Sequence, residues 1–235
     1  LAYEMDFIRC QLAAIGAHRV LDAACGTGWH AIALAQAGYA VTGADLSVNM
    51  LERARRNAAE MAVHPVHFVV AGFGQLRQAV EGLYDALLCL GNSLPHVLTD
   101  AQLHTTLADF GALLRPGGLL LIQNRNFDAV MHTRNRWMTP QWYRQGDQEQ
   151  LFVRFYDFNA DNTLTFNVLI LERTGDGAWT QRAEATLLRP WRSDELCDAL
   201  AINGFANCTL YGDMTGSQFE ATTSGDLVIT AYRRG

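Results

Sequence analysis

Lysine is absent from the 235 residues, so all eighteen basic side chains are arginine. No lysine can form a Schiff base, anchor pyridoxal phosphate, sit in a phosphate loop or serve a kinase, and those chemistries are excluded. The five cysteines (Cys10, Cys25, Cys89, Cys197, Cys208) include no C-x-x-C pair. This argues against a zinc ribbon or redox dithiol, and for a cytoplasmic chain whose thiols are mostly buried and apolar. No apolar run reaches the roughly twenty residues of a membrane span. Basic charge is also in deficit, 18 residues against 24 acidic for a net -6, with the arginines scattered singly. That leaves no electrostatic footprint for nucleic acid or an anionic membrane, and a small molecule is the expected partner. The start, Leu1-Ala2-Tyr3, reads neither as a signal peptide nor as an initiator methionine and leaves room for native residues ahead of it.

What is present suffices for a real core in one large domain, or one domain carrying a smaller subdomain: 49% of residues are apolar. After an amphipathic helix over Glu4 to Ile15, the short apolar strand Arg19 to Ala24 runs into a glycine turn, Cys25-Gly26-Thr27-Gly28. A helix follows from Trp29 to Gln36, and a second strand from Tyr39 to Ala44 ends at Asp45. Ser47 caps the next helix, whose wet face carries Glu52, Arg53, Arg55 and Arg56. The alternation continues through strands Val66–Val70 and Tyr84–Cys89, a helix from Asp100 to Leu114, a turn at Arg115-Pro116-Gly117-Gly118 and strand Leu119–Gln123. Such a pattern predicts an α/β fold, a Rossmann-like, doubly wound, mostly parallel seven-stranded sheet covered on both faces. Then the pattern changes. Phe152–Phe158, Thr163–Arg173 and Trp179–Leu188, the last two joined by Gly175-Asp176-Gly177, predict an inserted antiparallel three-stranded meander. A helix capped by Ser193 and strands Phe205–Tyr211 and Asp226–Tyr232 return to the sheet. The expected division is therefore a cofactor-binding domain over 1–128 and 190–235, and a substrate or lid subdomain over 129–189. The irregular stretch Met131 to Gln150 has the length of a lid or binding loop.

A glycine turn after the first strand is where an open α/β sheet places a nucleotide-like ligand, beside a helix amino terminus. Asp45, seventeen residues past Gly28 at the end of the next strand, is placed to accept both ribose hydroxyls. Dinucleotides and S-adenosylmethionine both fit so far. Asp22, four residues before Gly26, separates them: a carboxylate there repels a pyrophosphate and attracts the ammonium and sulfonium cations of S-adenosylmethionine. At this point the chain resembles the class I S-adenosylmethionine-dependent methyltransferases, whose first motif is similar to Val20-Leu21-Asp22-Ala23-Ala24-Cys25-Gly26-Thr27-Gly28. Asp45-Leu46-Ser47 with Met50, Tyr84-Asp85-Ala86 and Leu114-Arg115-Pro116-Gly117-Gly118 resemble later motifs in the right order, over nearly the whole chain. Gly117-Gly118 is read as a structural turn only. Many members carry an acidic or amide side chain after the third strand to receive adenine. Ala71-Gly72-Phe73 has none, so adenine recognition falls to the backbone at Gly72 and Phe73.

The fourth strand ends in Leu90-Gly91-Asn92-Ser93-Leu94-Pro95-His96 and the fifth in Asn124-Arg125-Asn126-Phe127-Asp128, adjacent strands converging on amide and guanidinium groups. Together they resemble the glycine N-methyltransferase family, as do Gly16 to Asp22 and Leu210-Tyr211-Gly212-Asp213-Met214. The resemblance implies that Asn92 and Arg125 hold a substrate carboxylate and that Leu90, Ser93 and His96 line the methionine end of the cofactor. A guanidinium fork suits a carboxylate. The structural alternative for Arg125 is an ion pair with Asp128. The chain departs from that family in lacking its tyrosine-bearing amino-terminal segment, which only Tyr3 could represent, and in placing Leu188-Arg189-Pro190 where the family has a tyrosine pair. Tyr143 is a loose match for the substrate pocket, and Arg134, Arg136 and Arg189 leave room for a larger or more anionic amino acid. His64 and His67, with no third ligand, read as turn histidines, and no metal is expected. His96 could orient the cofactor or accept a proton.

The expected function is methyl transfer from S-adenosylmethionine to the amine of a small molecule, of the glycine or sarcosine type, leaving S-adenosylhomocysteine. In-line displacement needs positioning and water exclusion more than a firm general base. An O-methyltransferase using His96 as base, a non-catalytic cofactor-binding regulatory module and, more distantly, a dinucleotide oxidoreductase stay open at this stage. The meander could wall the pocket or join subunits, which leaves a homo-oligomer open too.

Overall fold

The structure, a computed structural model, describes residues 2–63 and 65–235; Leu1 and His64 lie outside the described residues. The chain divides into two compact units, residues 1–129 with 191–235, and residues 130–190.

In the first unit the elements follow as α1 (Ala2–Ala14), β1 (Arg19–Ala23), α2 (Trp29–Gln36), β2 (Ala40–Asp45), α3 (Val48–Glu60), β3 (Val66–Val70), α4 (Leu76–Ala79), β4 (Tyr84–Cys89), a 3-10 turn (Leu94–His96), α5 (Asp100–Leu113) and β5 (Leu114–Arg125). The chain passes to the second unit within α6 (Phe127–Thr133) and returns for α7 (Ser193–Ile202), β10 (Phe205–Tyr211) and β11 (Asp226–Arg233). The seven strands lie in the order β10-β11-β5-β4-β1-β2-β3. Pairs from β5 to β3 are parallel, and β10 and β11 are antiparallel additions. This is the mostly parallel, doubly wound sheet expected from the alternation. Successive residues of one strand are buried on opposite faces. Leu21, Leu87, Leu120 and Ile122 pack with Leu103, Leu107 and Phe110 of α5 and Leu196 and Leu200 of α7. Val20, Leu88, Leu119 and Leu121 pack with Ile8 and Leu12 of α1 and Ala31 and Leu34 of α2. Burial on both faces is why these strands read as continuous apolar runs. The direction of strand addition reverses between β1 and β4, and the crevice outside the carboxyl ends of strands at such a point is where an open α/β sheet receives its ligand.

The caps agree in part with expectation. Ser47 Oγ accepts the Met50 N–H at 3.3 Å, as its position predicts. Ser193 is not the cap of α7, contrary to expectation. Arg192 holds that place, the Glu195 carboxylate accepts the Arg192 N–H at 2.9 Å, and the Ser193 N–H is taken by Asp128 at 3.0 Å. The segment Arg115 to Gly118, read as a turn before the strand, is an irregularity inside β5: Leu114 pairs with Tyr84, and pairing resumes at Leu119 with Ala86. Opposite it, Asp85 accepts the N–H groups of His18 and Arg19 at 2.7 and 2.8 Å and the Arg115 Nε at 2.6 Å. No helix among the described residues is long and apolar enough to cross a membrane.

The second unit holds an antiparallel sheet in the order β6-β7-β8-β9, with β6 (Gln141–Gln145), β7 (Gln148–Phe158), β8 (Leu164–Thr174) and β9 (Thr180–Leu188). It has four strands where the sequence predicts three. The extra strand, β6, comes from the stretch read as irregular. Every residue of β6 is exposed, so no buried face imposes the two-residue alternation that marks a strand. Pairing through the two-residue Gly146-Asp147 loop alone defines it, with Gly146 at φ 59.

The cysteines also correct an expectation. Only Cys89 is buried, while Cys10 and Cys208 are exposed. The sulfurs of Cys197 on α7 and Cys208 on β10 lie 2.7 Å apart. Mild hydroperoxide oxidation is expected to close this pair to a disulfide, the peroxide taking the two thiol hydrogens as water. Intact mass should fall by two hydrogens, with the bridge mapped between peptides bearing these residues and absent in Cys208→Ser.

Candidate active site

The loop from β1 to α2 turns tightly because three of its residues are left-handed: Ala24 (φ 65), Gly26 (φ 55) and Gly28 (φ 81). At Gly28 a Cβ would meet Ala54 Cβ at 2.9 Å and the Phe68 ring at 3.1 Å, so the loop also depends on close helix packing there. Asp45, at the end of β2, braces this loop: its two oxygens accept the N–H groups of Gly26 and Ser47, each at 2.8 Å. A carboxylate has about four acceptor positions, so two remain for hydroxyls presented from the crevice.

Asp22 is almost fully buried on β1, and its Oδ2 has no hydrogen-bond partner. Burial, with the nearby Asp45 charge, pushes its carboxyl up to about 7, against a hydrogen bond from the Ala31 N–H. A buried, incompletely paired acid is costly unless a cation or donor arrives to meet it. A cavity of about 340 Å³ is lined by Ala24, Asp45, Leu46, Ala71, Gly72, Phe73, Leu76, Ser93 and His96. The site residues Ala24, Asp45, Leu46, Gly72, Phe73, Ser93 and His96 read from sequence thus share one wall. Asp22, Gly26, Gly28, Met50 and Leu90 do not line it. Ala71 and Leu76 complete that wall; nothing in their residue type marks them, since an apolar lining residue looks like core. Leu46 is 72% exposed, an apolar rim that contact with a ligand would cover. Phe73 stacks edge-on to Phe110 with ring centroids 5.7 Å apart. His96 is exposed at the rim of this cavity, and the partial desolvation of its ring lowers its pKa. Among the described residues no group of His, Cys, Asp and Glu could hold a metal ion.

At the carboxyl ends of β4 and β5 a second constellation forms. Gly91 (φ 70) and Asn92 (φ 61) are successive left-handed residues. The Gly91 N–H donates to Gln123 Oε1 at 2.8 Å, and Asn92 Oδ1 accepts the Arg125 N–H at 2.9 Å. The Asn92 carbonyl oxygen is thus used to align the strand ends, which leaves its amide N–H groups as the donors for a ligand. The Arg125 side chain is 47% exposed, with Nη1 3.9 Å from Asp226 Oδ1. Asp128 is not its partner, contrary to the structural alternative: that carboxylate accepts the Ser193 N–H at the start of α7. Asn126 is buried and its amide reaches the Ala221 and Ser224 carbonyls at 3.0 and 2.9 Å, so it pins the loop before β11.

Within the second unit, Tyr143 lies on β6, packs edge-on against Phe152 and hydrogen-bonds Gln141 at 3.2 Å. Arg134 lies over the Phe158 ring at 4.5 Å, and Arg136 pairs with Asp157.

Residues 20–118 match the family model of the methyltransferase domain. The chain is 34% identical over 179 residues to a glycine/sarcosine N-methyltransferase of Halorhodospira halochloris, an alignment covering 72% of this chain and 66% of that one. Across the curated relatives it matches, the chain spans between 23% and 66% of their length. Among solved structures it resembles an S-adenosylmethionine-dependent methyltransferase of Clostridium acetobutylicum (TM-score 0.83, 16% identity, covering 100% of this chain and 92% of that one). It also resembles the S-adenosylmethionine-bound amino pentose methyltransferase CalS10 of Micromonospora echinaspora (TM-score 0.76, 20% identity, covering 99% and 90%). At those identities the likeness shows the fold. By sheet order, glycine loop, matched domain and sequence relatives together, the chain belongs to the S-adenosylmethionine-dependent methyltransferases.

Proposed function

We propose that the chain methylates the amine of a small amino acid of the glycine or sarcosine type. The residues fit S-adenosylmethionine as donor. Asp22 is a buried carboxylate with an unpartnered oxygen, and the charge that acts on it, Asp45, is of the same sign. A cationic ammonium or sulfonium group relieves that cost, whereas a pyrophosphate would add to it. Asp22 and the glycine loop would hold the amino-acid end, Asp45 the ribose hydroxyls, and Leu46 and Phe73 the flat base. When bound, the donor supplies a methyl group already activated on a sulfonium leaving group.

The observation that carries the acceptor class is the Asn92–Arg125 clasp. The Arg125 backbone N–H is held by Asn92 Oδ1, so one strand end carries a half-exposed guanidinium and the neighbouring loop a side-chain amide, donor groups of the kind a carboxylate takes. The relatives' glycine and sarcosine specificity supports the same reading. In this reading the chain's work is positioning: Asn92 and Arg125 fix the carboxylate so that a neutral amine faces the methyl carbon in line with the breaking bond. Leu46 and Phe73 give the cavity wall an apolar surface that a bound donor would cover, keeping water from it. Residues 130–190 are read as the acceptor-selecting subdomain, on the strength of the exposed aromatic side chains Trp137, Trp142 and Tyr143.

Arg125→Lys tests the assignment, because a point charge keeps the sign and loses the fork. Affinity for S-adenosylhomocysteine should be unchanged by calorimetry, while KM for the amino acid rises about tenfold. Mass spectrometry of products with glycine, sarcosine, larger amino acids and phenols identifies the acceptor class. Transfer to phenols alone overturns the reading.

A further inference from the structure

Arg125 is matched with an acid of its own. In the register of β5 and β11 it stands opposite Asp226 at the carboxyl edge of the sheet. The residues alternating with this pair, Leu121 and Val228, pack on the α1 and α2 face, so both charged side chains project toward the face that also carries Asp22. The separation of 3.9 Å is too long for a hydrogen-bonded fork. The two groups are therefore neighbours that do not saturate each other. Gln123 fixes the acid: its Oε1 accepts the Gly91 N–H, and its amide hydrogen-bonds Asp226. One amide side chain therefore links the Gly91-Asn92 loop to Asp226.

The groups facing Asp226 are Arg125 and Gln123 from β5, Asp213 from the segment after β10, and Glu4 from α1. The charges of Asp213 and Glu4 add to that of Asp226, with one guanidinium, Arg125, opposing them, and His30 lies 3.7 Å from Glu4. Burial, helped by Asp213 and Glu4, raises the Asp226 carboxyl despite Gln123 and Arg125. A bare carboxylate ligand gains nothing from this excess negative charge. An ammonium group beside the carboxylate does.

We propose that Asp226 is the specificity-determining residue for the acceptor amine: Arg125 and Asn92 read the carboxylate while Asp226 reads the ammonium, selecting amino-acid zwitterions. This rests on the functional reading above. The same placement serves the chemistry. The acceptor N–H bond breaks, an O–H bond forms on the Asp226 carboxylate, and the freed nitrogen lone pair then attacks the methyl carbon as its bond to sulfur breaks.

The test is Asp226→Asn, with Asp226→Glu beside it, assayed with S-adenosylmethionine against glycine, sarcosine and an aminodeoxy sugar. Acetate serves as an amine-free competitor that probes Arg125. For Asp226→Asn the glycine KM should rise about tenfold to a hundredfold, the worth of a hydrogen bond to a charged group. The acid limb of the kcat/KM profile should move to higher pH, S-adenosylhomocysteine affinity should hold, and acetate should inhibit as well or better. Asp226→Glu should recover part of the loss. A merely structural ion pair would weaken acetate together with glycine. If wild type methylates glycine or sarcosine and Asp226→Asn matches it in KM and pH profile, the inference is overturned and the functional reading stands. If wild type methylates the amino sugar and no amino acid, the functional reading fails and takes the inference with it.

Discussion

Asp22→Asn is expected to stabilise the ligand-free protein at alkaline pH while lowering cofactor affinity roughly a hundredfold or more, the range for removing one partner of a buried charge pair. The two effects have one cause. Folding moves the Asp22 carboxyl from 3.8 to about 7. Between those values the folded chain holds a proton that the unfolded chain has lost, so the contribution is full below the lower value and is lost as pH rises through about 7. At pH 8 the ionised, buried group costs up to roughly 4 kcal/mol, since each tenfold change in proton affinity is worth about 1.4 kcal/mol. The amide removes that cost and leaves a neutral polar group of the same shape. Cofactor binding runs the other way: the cation needs the carboxylate, so wild-type affinity should strengthen as pH rises through about 7, and the variant should lose that dependence. Thermal melting and calorimetry with S-adenosylhomocysteine, on either side of that pH, measure both. A variant that is less stable on both sides, with unchanged affinity, would remove Asp22 from the site.

Gly28→Ala should be the most damaging single methyl in the glycine loop. The residue sits at φ 81, where an alanine costs about 1–2 kcal/mol. The added Cβ would also lie 2.9 Å from Ala54 Cβ and 3.1 Å from Phe68, both held in packed elements, and relieving such overpacking costs about 1–3 kcal/mol more. Gly26→Ala is the control. It shares the left-handed backbone at φ 55 but has open space around its Cβ, so only the backbone cost of about 1–2 kcal/mol applies. Melting temperature should fall about twice as far for the first as for the second. Equal losses would mean that backbone conformation, not the approach of α3 and β3, explains the glycine at 28.

Where the chain's own neighbours decide structure, the sequence is readable. The Val20-to-Gly28 and Asp45-to-Met50 segments carry strand, turn, cap and helix within one local stretch, and the observed elements follow them closely. The site is readable to the same extent, because Ala24, Asp45, Leu46, Gly72 and Phe73 sit on turns whose place in an α/β alternation is fixed. The rest depends on partners distant in the chain. Asp226 meets Arg125 only through the register of β11 on β5, and β11 is reached after a whole inserted unit. Cys197 and Cys208 meet because α7 packs beside β10. Strand β6 has no buried face to announce it, and the residues Arg115 to Gly118 carry turn composition into a strand.

Asp85 has a consequence for how the molecule is assembled. Its carboxylate accepts hydrogen bonds from residues 67, 66 and 30 positions away, and the Arg115 it holds reaches the Ile15 carbonyl across 100 positions. One side chain thereby closes several long loops at the end of the sheet away from the crevice. Loop closure must be paid in entropy before such contacts reward it, and nothing local prepares these. The clasp therefore requires β1, β4 and β5 to lie side by side, and through the Ile15 carbonyl it ties the end of α1 to the sheet.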